Sequence, residues 1–125
     1  MNIPKLYIRY AFPLDSDRRN HFEKNNLGYY PTIKEVKDKT SELIALWSEI
    51  NKDDRVIKLL MKLTKIALPR DLELCVFGSG LPAMSFPLIL SISRNNEIST
   101  NDKLIITLVH EICHRFAGDQ TINPG

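Results

Sequence analysis

Leu6, Ile8, Tyr10 and Phe12 alternate with Tyr7, Arg9 and Ala11, and Pro13 closes the run. A two-residue period of this kind predicts a strand with one apolar face. Residues 14–31 are polar and carry Asp15-Ser-Asp-Arg-Arg19, two asparagines and Gly28; the pattern gives a short helix around 16–26. Thr32-Ile-Lys-Glu35 then reads as a capping box, placed just after Pro31. Ile33, Val36, Leu43, Ile44, Trp47 and Ile50 recur at helical spacing, so an amphipathic helix is predicted over 33–50. Asn51-Lys-Asp-Asp54 breaks it and caps a second helix through Val56, Ile57, Leu60, Leu63 and Ala67, which stops before Pro69. Leu72–Phe77 is a strand bounded by Gly78-Ser-Gly80. Residues 81–87 form a loop or ragged strand, Leu88–Ser93 is another strand, and Arg94-Asn-Asn-Glu97 turns the chain. Ser99, Thr100 or Asn101 caps a last helix, with Asp102 well placed at its N-terminus.

The order strand, helices, strand, strand, helix points to an α+β fold, a small mixed sheet packed against helices. The helical crossover between the first strand and Leu72–Phe77 allows parallel pairing, and Leu88–Ser93 is expected to pair antiparallel at one edge. No internal repeat interrupts this order, so residues 1–125 are expected to form one domain. The Pro124-Gly125 ending is that of a natural tail or of the N-terminal part of a longer chain.

Composition narrows the function classes. A net charge of +2, with the charges interspersed, gives no reason to expect a nucleic-acid partner. No apolar run approaches the roughly 18 residues of a membrane span. The start lacks the basic and apolar regions of a signal peptide, and two cysteines, Cys75 and Cys113, make no disulfide framework. A cytoplasmic, reducing compartment is the expectation.

The chemistry concentrates in the last helix, at His110-Glu111-Ile112-Cys113-His114. At about 100° per residue, His114 lies about 40° round from His110, so both imidazoles share one face. Ile105, Leu108, Ile112 and Phe116 fall on the opposite side, the stripe expected to be buried, which is expected to turn the two histidines toward a cleft. Glu111 borders the histidine face. Two histidines at i and i+4 supply two corners of a tetrahedral zinc shell, and a third ligand and a water complete a catalytic site. Zinc acidifies such a water, and a neighbouring carboxylate takes its proton. The competing reading is a solvated polar helix face on a metal-free domain.

Leu108-Val-His-Glu-Ile-Cys-His114 resembles the active-site helix of the zincin superfamily of zinc metallopeptidases. Residues 72–117 are similar to the zincin core of sheet strand, edge strand and motif helix, and Ala83-Met-Ser85 resembles the small-residue segment ahead of the motif in gluzincin-type members. The resemblance implies Zn²⁺ as cofactor, His110 and His114 as metal ligands, and Glu111 as general base. It also implies a peptide or protein substrate bound along an exposed edge strand at Leu88–Ser93. The alternative is a zinc-binding but inactive zincin-like interaction domain. The chain departs from the metzincin pattern, with Ala117 and Gln120 where a glycine and a third ligand belong, and no Glu follows Glu111 as gluzincins require. The third ligand is therefore Asp119, His21 or a residue beyond Gly125. On a continued helix Asp119 points away from the metal, and His21 sits in a surface-like Arg18–Lys24 segment. Cys113 is placed beside the site as a packing residue, Cys75 in or near the core, and Trp47 in the core. Tyr29 and Tyr30 are loop anchors, with an oxyanion role as the rival. Gly78-Ser-Gly80 is a turn, lacking the lysine and following helix of a phosphate loop.

Overall fold

The computed structural model describes residues 3–68, 70–85 and 87–121, with side chains of the last helix described through Ala117. The described residues form an α+β fold: β1 Leu6–Tyr10, α1 Leu14–Asn25, α2 Ile33–Ile50, a 3₁₀ turn Lys52–Asp54, α3 Arg55–Thr64, β2 Leu72–Phe77, β3 Met84–Ser85, β4 Leu88–Ser91, β5 Ser93–Arg94, β6 Glu97–Ile98 and α4 Asn101–Thr121. The main sheet has the order β1-β2-β4-β3, and β5 and β6 make a separate hairpin. Among the described residues no helix is long and apolar enough to cross a membrane.

The local signals act where chemistry gives them force. Thr32 Oγ1 accepts from the Glu35 N–H at 3.1 Å and Glu35 accepts from the Thr32 N–H at 2.8 Å, a complete capping box at the start of α2. The Thr32 N–H holds the Glu35 carboxyl below its ordinary range. Asn51 works at a distance: its Oδ1 accepts from the N–H groups of Val56 and Ile57 across the 3₁₀ turn. The α3 helix ends at Thr64, with Lys65 in the left-handed region at φ 60°, so Ala67 lies beyond it rather than inside it. That left-handed residue stops the helix before Pro69 is reached. The first helix begins two residues before the expected 16–26 span, at Leu14.

Parallel pairing of β1 with β2 is present, Leu6 opposite Leu72 and Tyr10 opposite Val76. The expectation for Leu88–Ser93 is corrected in two ways. Residues Leu88–Ser91 pair parallel to β2, and they are interior rather than at an edge. The outermost strand is β3, antiparallel to β4 through Met84–Ile89 and Ser85–Leu88. The antiparallel step is made instead within the ragged segment before β4, at Met84–Ser85. The chain leaves β2, returns as β3, and turns again so that β4 slides between them. Ser93 then leaves the sheet to pair with Ile98.

One face of the sheet carries the core. Leu6, Ile8, Leu72, Leu74, Val76, Leu88 and Leu90 are buried there against Val36, Leu43 and Trp47 of α2, Ile57 and Leu60 of α3, and Leu104, Leu108, Ile112 and Phe116 of α4. The opposite face alternates to exposed or half-buried Tyr7, Arg9, Glu73, Cys75 and Ile89. This two-layer arrangement buries one side of α2, α3 and α4 and leaves the other side exposed.

Candidate metal centre

The last helix starts where Thr100 Oγ1 accepts from the Lys103 N–H at 3.3 Å, with Asp102 in the first turn. Its inner stripe of Leu104, Leu108, Ile112 and Phe116 is at most 3% exposed. That stripe fixes the rotation of the helix, and the rotation fixes where the histidines point. His110 and His114 are both exposed on the outer face, one turn apart, rather than enclosed in the expected cleft. They converge: the two Nε2 atoms are 2.9 Å apart, with ring centroids at 4.4 Å and planes at 83°. Two nitrogens on one tetrahedral zinc, at about 2.0–2.1 Å each, lie about 3.3 Å from one another. The pair is within a few tenths of an ångström of that separation, and sharing a cation would replace the hydrogen bond between the two nitrogens. Ile105, placed on the buried stripe by the wheel, is half-buried against the core, and Leu104 takes the fully buried position.

Glu111 is half-buried beside this face. Cys113 is half-buried and packs against the core, and burial pushes its thiol above the ordinary range, which keeps it protonated and a poor ligand at neutral pH. Arg115 links the helix to the sheet: its Nη1 donates to the Ser85 carbonyl at 3.0 Å, holding β3 beside α4. Arg115, the residue after His114, thus ties the helix to the outermost strand, which is β3 and not the predicted Leu88–Ser93.

The third ligand is not brought in. His21 is exposed on α1, where Asn25 Nδ2 meets its Nδ1 at 3.1 Å. The Asp119 side chain lies outside the described residues. Among the described residues no group of three or more His, Cys, Asp or Glu side chains converges on a point. Neither imidazole has an Nδ1 partner among the described residues, so each ring is oriented by the other rather than from behind.

The two tyrosines resolve as anchors. Tyr29 donates to Glu35 at 3.2 Å. Tyr30 donates to Asp15 at 2.6 Å and packs edge-on to Phe22 at 5.0 Å. The Asp15 cluster was not visible in the chain as a unit. Asp15 is 0% exposed, and its carboxylate accepts from Tyr10 Oη at 2.8 Å, Arg19 Nη2 at 2.7 Å, Tyr30 Oη at 2.6 Å and the Gly78 N–H at 2.7 Å. The signal that might have found it is the i, i+4 spacing of Asp15 and Arg19 inside a polar segment. Gly78 is required here because a Cβ would meet the Tyr30 ring at 2.5 Å. A second feature away from the helix is a groove of about 600 Å³ along β1, lined by Leu6, Tyr7, Ile8, Ile44 and Trp47 among others. It lies at the opposite edge of the sheet from the histidines. Comparison of the chain with protein-family models, curated proteins and solved structures finds no match.

Proposed function

We propose that the protein is a zinc-dependent, zincin-like hydrolase that cleaves peptide bonds, with His110 and His114 as metal ligands and Glu111 as general base. The observation that carries this reading is the convergence of the two Nε2 atoms to 2.9 Å on the exposed side of a helix whose other side is buried. Bound zinc supplies Lewis-acid chemistry, acidifying a water and polarising a carbonyl. The chain's own residues do the rest. His110 and His114 would hold the ion through their Nε2 atoms. The Glu111 carboxylate takes the proton of the attacking water and delivers it to the departing amine nitrogen. The free edge of β3 accepts an extended peptide by strand addition, and Arg115 keeps that edge registered against α4.

A second reading is a zinc-binding module without catalytic activity. It is favoured by one observation: among the described residues only two of the three protein ligands of a catalytic shell come together. Two measurements separate the readings. Metal analysis and calorimetric zinc titration of the purified chain should give one ion per chain, with binding lost in His114→Ala. Cleavage of a mixed peptide library should be blocked by a chelator and by Glu111→Gln, while Glu111→Gln still binds zinc. Zinc at full stoichiometry without cleavage selects the module. Failure of the wild-type chain to bind zinc ends both.

A further inference from the structure

The β1 strand is the second free edge of the sheet, and its backbone is arranged to accept another strand. Lys5 accepts from the Leu72 N–H at 2.7 Å and Ala11 donates to the Val76 carbonyl at 3.0 Å, so the odd positions of β1 face β2. In a parallel ladder the alternate residues face the other way. The N–H and C=O groups of Leu6 and Ile8, and the N–H of Tyr10, therefore point outward from the edge, while the Tyr10 carbonyl is taken by the Phe12 N–H at 2.9 Å. Beside this edge runs the groove between Leu6, Tyr7 and Ile8 on one wall and Ile44, Trp47 and Ser48 of α2 on the other. Ile44, 46% exposed, and Trp47 give the groove an apolar stretch, and Lys5, Asn51, Lys52, Asp53 and Asp54 make its other end polar.

Edge strands are commonly guarded by charge. Here Arg9, the cation of β1, has its Nε held by Glu73 at 3.2 Å, and Lys5, just before the strand, has its Nζ held by Asp54 at 3.2 Å. The residues of the strand also select a partner. We propose that β1 pairs antiparallel with β1 of a second copy, about a two-fold axis at Ile8, joining the two four-stranded sheets into one. In that register Ile8 faces Ile8, Leu6 faces Tyr10, and Tyr7 faces Arg9 twice by symmetry. Each arginine then lies across from an exposed aromatic ring, a favourable cross-strand pair. The outward groups match as well, since Ile8 exchanges both its bonds with its mate and the Tyr10 N–H meets the Leu6 carbonyl. The register centred on Tyr7 would set Lys5 against Arg9, like charge to like. The pairing uses the edge opposite β3, leaves the histidine face free, and does not depend on the metal reading.

Sedimentation velocity of the full chain over a range of concentrations tests this, with and without chelator. The wild type is expected to associate to a dimer irrespective of metal. Tyr7→Lys, which opposes Arg9 of the mate twice, should raise the dissociation constant about tenfold or more, as two cross-strand pairs predict. Tyr7→Glu removes the same ring and stands opposite Glu73 of its own protomer, but supplies a carboxylate to Arg9 of the mate, and should weaken the dimer less than Tyr7→Lys does. Tyr7 is exposed, and circular dichroism checks that each variant folds. A monomer at every concentration overturns the proposal. So does a dimer indifferent to Tyr7→Lys, or one weakened equally by both substitutions.

Discussion

Replacing Asp15 with Asn is the most severe single test of how this fold is held together. Its carboxylate is 0% exposed and ties four segments: Tyr10 at the end of β1, Arg19 on α1, Tyr30 in the loop before α2, and the Gly78 N–H after β2. Every one of these groups donates. An amide would keep one acceptor oxygen and turn an NH₂ toward two donors, while Arg19, only 11% exposed, loses its counter-ion. Arg19 has little to fall back on, since its Nη1 is already buried without a partner and its Nε is committed to the Pro31 carbonyl at 2.8 Å. Removing one partner of a buried ion pair costs about 3–5 kcal/mol. For a chain of 125 residues, an unfolding entropy of about 2.1 cal/mol/K per residue converts that loss to a fall in Tm of roughly 11–19 °C. Urea titration should show a lower midpoint with an unchanged slope, and calorimetry the matching shift. A loss under about 1 kcal/mol would mean that the carboxylate's desolvation cancels its four bonds, and the reasoning would fail.

The same cluster predicts a response to alkali. Burial, and then the hydrogen bond and charge of Asp15, raise the Tyr30 phenol well above its ordinary value, and Tyr10 is raised for the same reasons. A raised folded-state value means that the stabilisation is complete below about pH 10, the unfolded tyrosine value, and is lost as pH climbs through the folded one. Tyr30→Phe should therefore flatten the decline of Tm above pH 10, and an unaltered decline would count against it. At the start of α2, Thr32→Ala removes the hydroxyl that accepts from Glu35 and should cost about 1 kcal/mol by urea titration. In α4, Ile112→Ala opens a cavity at a position 0% exposed and should cost about 2–5 kcal/mol. Its zinc affinity, measured at a temperature where it remains folded, should stay near that of the wild type, because Ile112 faces away from the histidines.

The parts of the fold that could be read from the chain are those set by local physics. The capping box at Thr32 and Glu35 placed the start of α2, and the stripe through Leu43 and Trp47 placed its buried face. The face shared by His110 and His114 followed from helical geometry alone. What escaped was non-local. A two-residue strand at Met84–Ser85 has too few positions to show a period, yet it decides which strand is at the edge. Asp15 looks like any acid in a polar stretch, and only the approach of β2, 63 residues away, makes it a buried hub.

The construction of α4 also constrains how zinc should behave. The helix does not need the ion to form: Leu104, Leu108, Ile112 and Phe116 already hold it against the sheet, so the two imidazoles are positioned before any metal arrives. In a zinc finger, by contrast, metal binding supplies the folding free energy and the apo chain is unfolded. Zinc should therefore shift the stability of this protein by mass action alone, about 2.7 kcal/mol at a hundredfold excess over the dissociation constant. The size of that constant then reads the completeness of the shell. Two imidazoles locked only to one another give a weak site that competes with their own 2.9 Å hydrogen bond. A third protein ligand would close the shell to a single water, and the affinity would rise by orders of magnitude without any change in the fold that presents it. Truncation after Ala117 discriminates between the sources. It removes Asp119 while keeping the buried stripe, so an affinity that falls with truncation assigns the ligand to the end of this helix, and one that holds assigns it elsewhere.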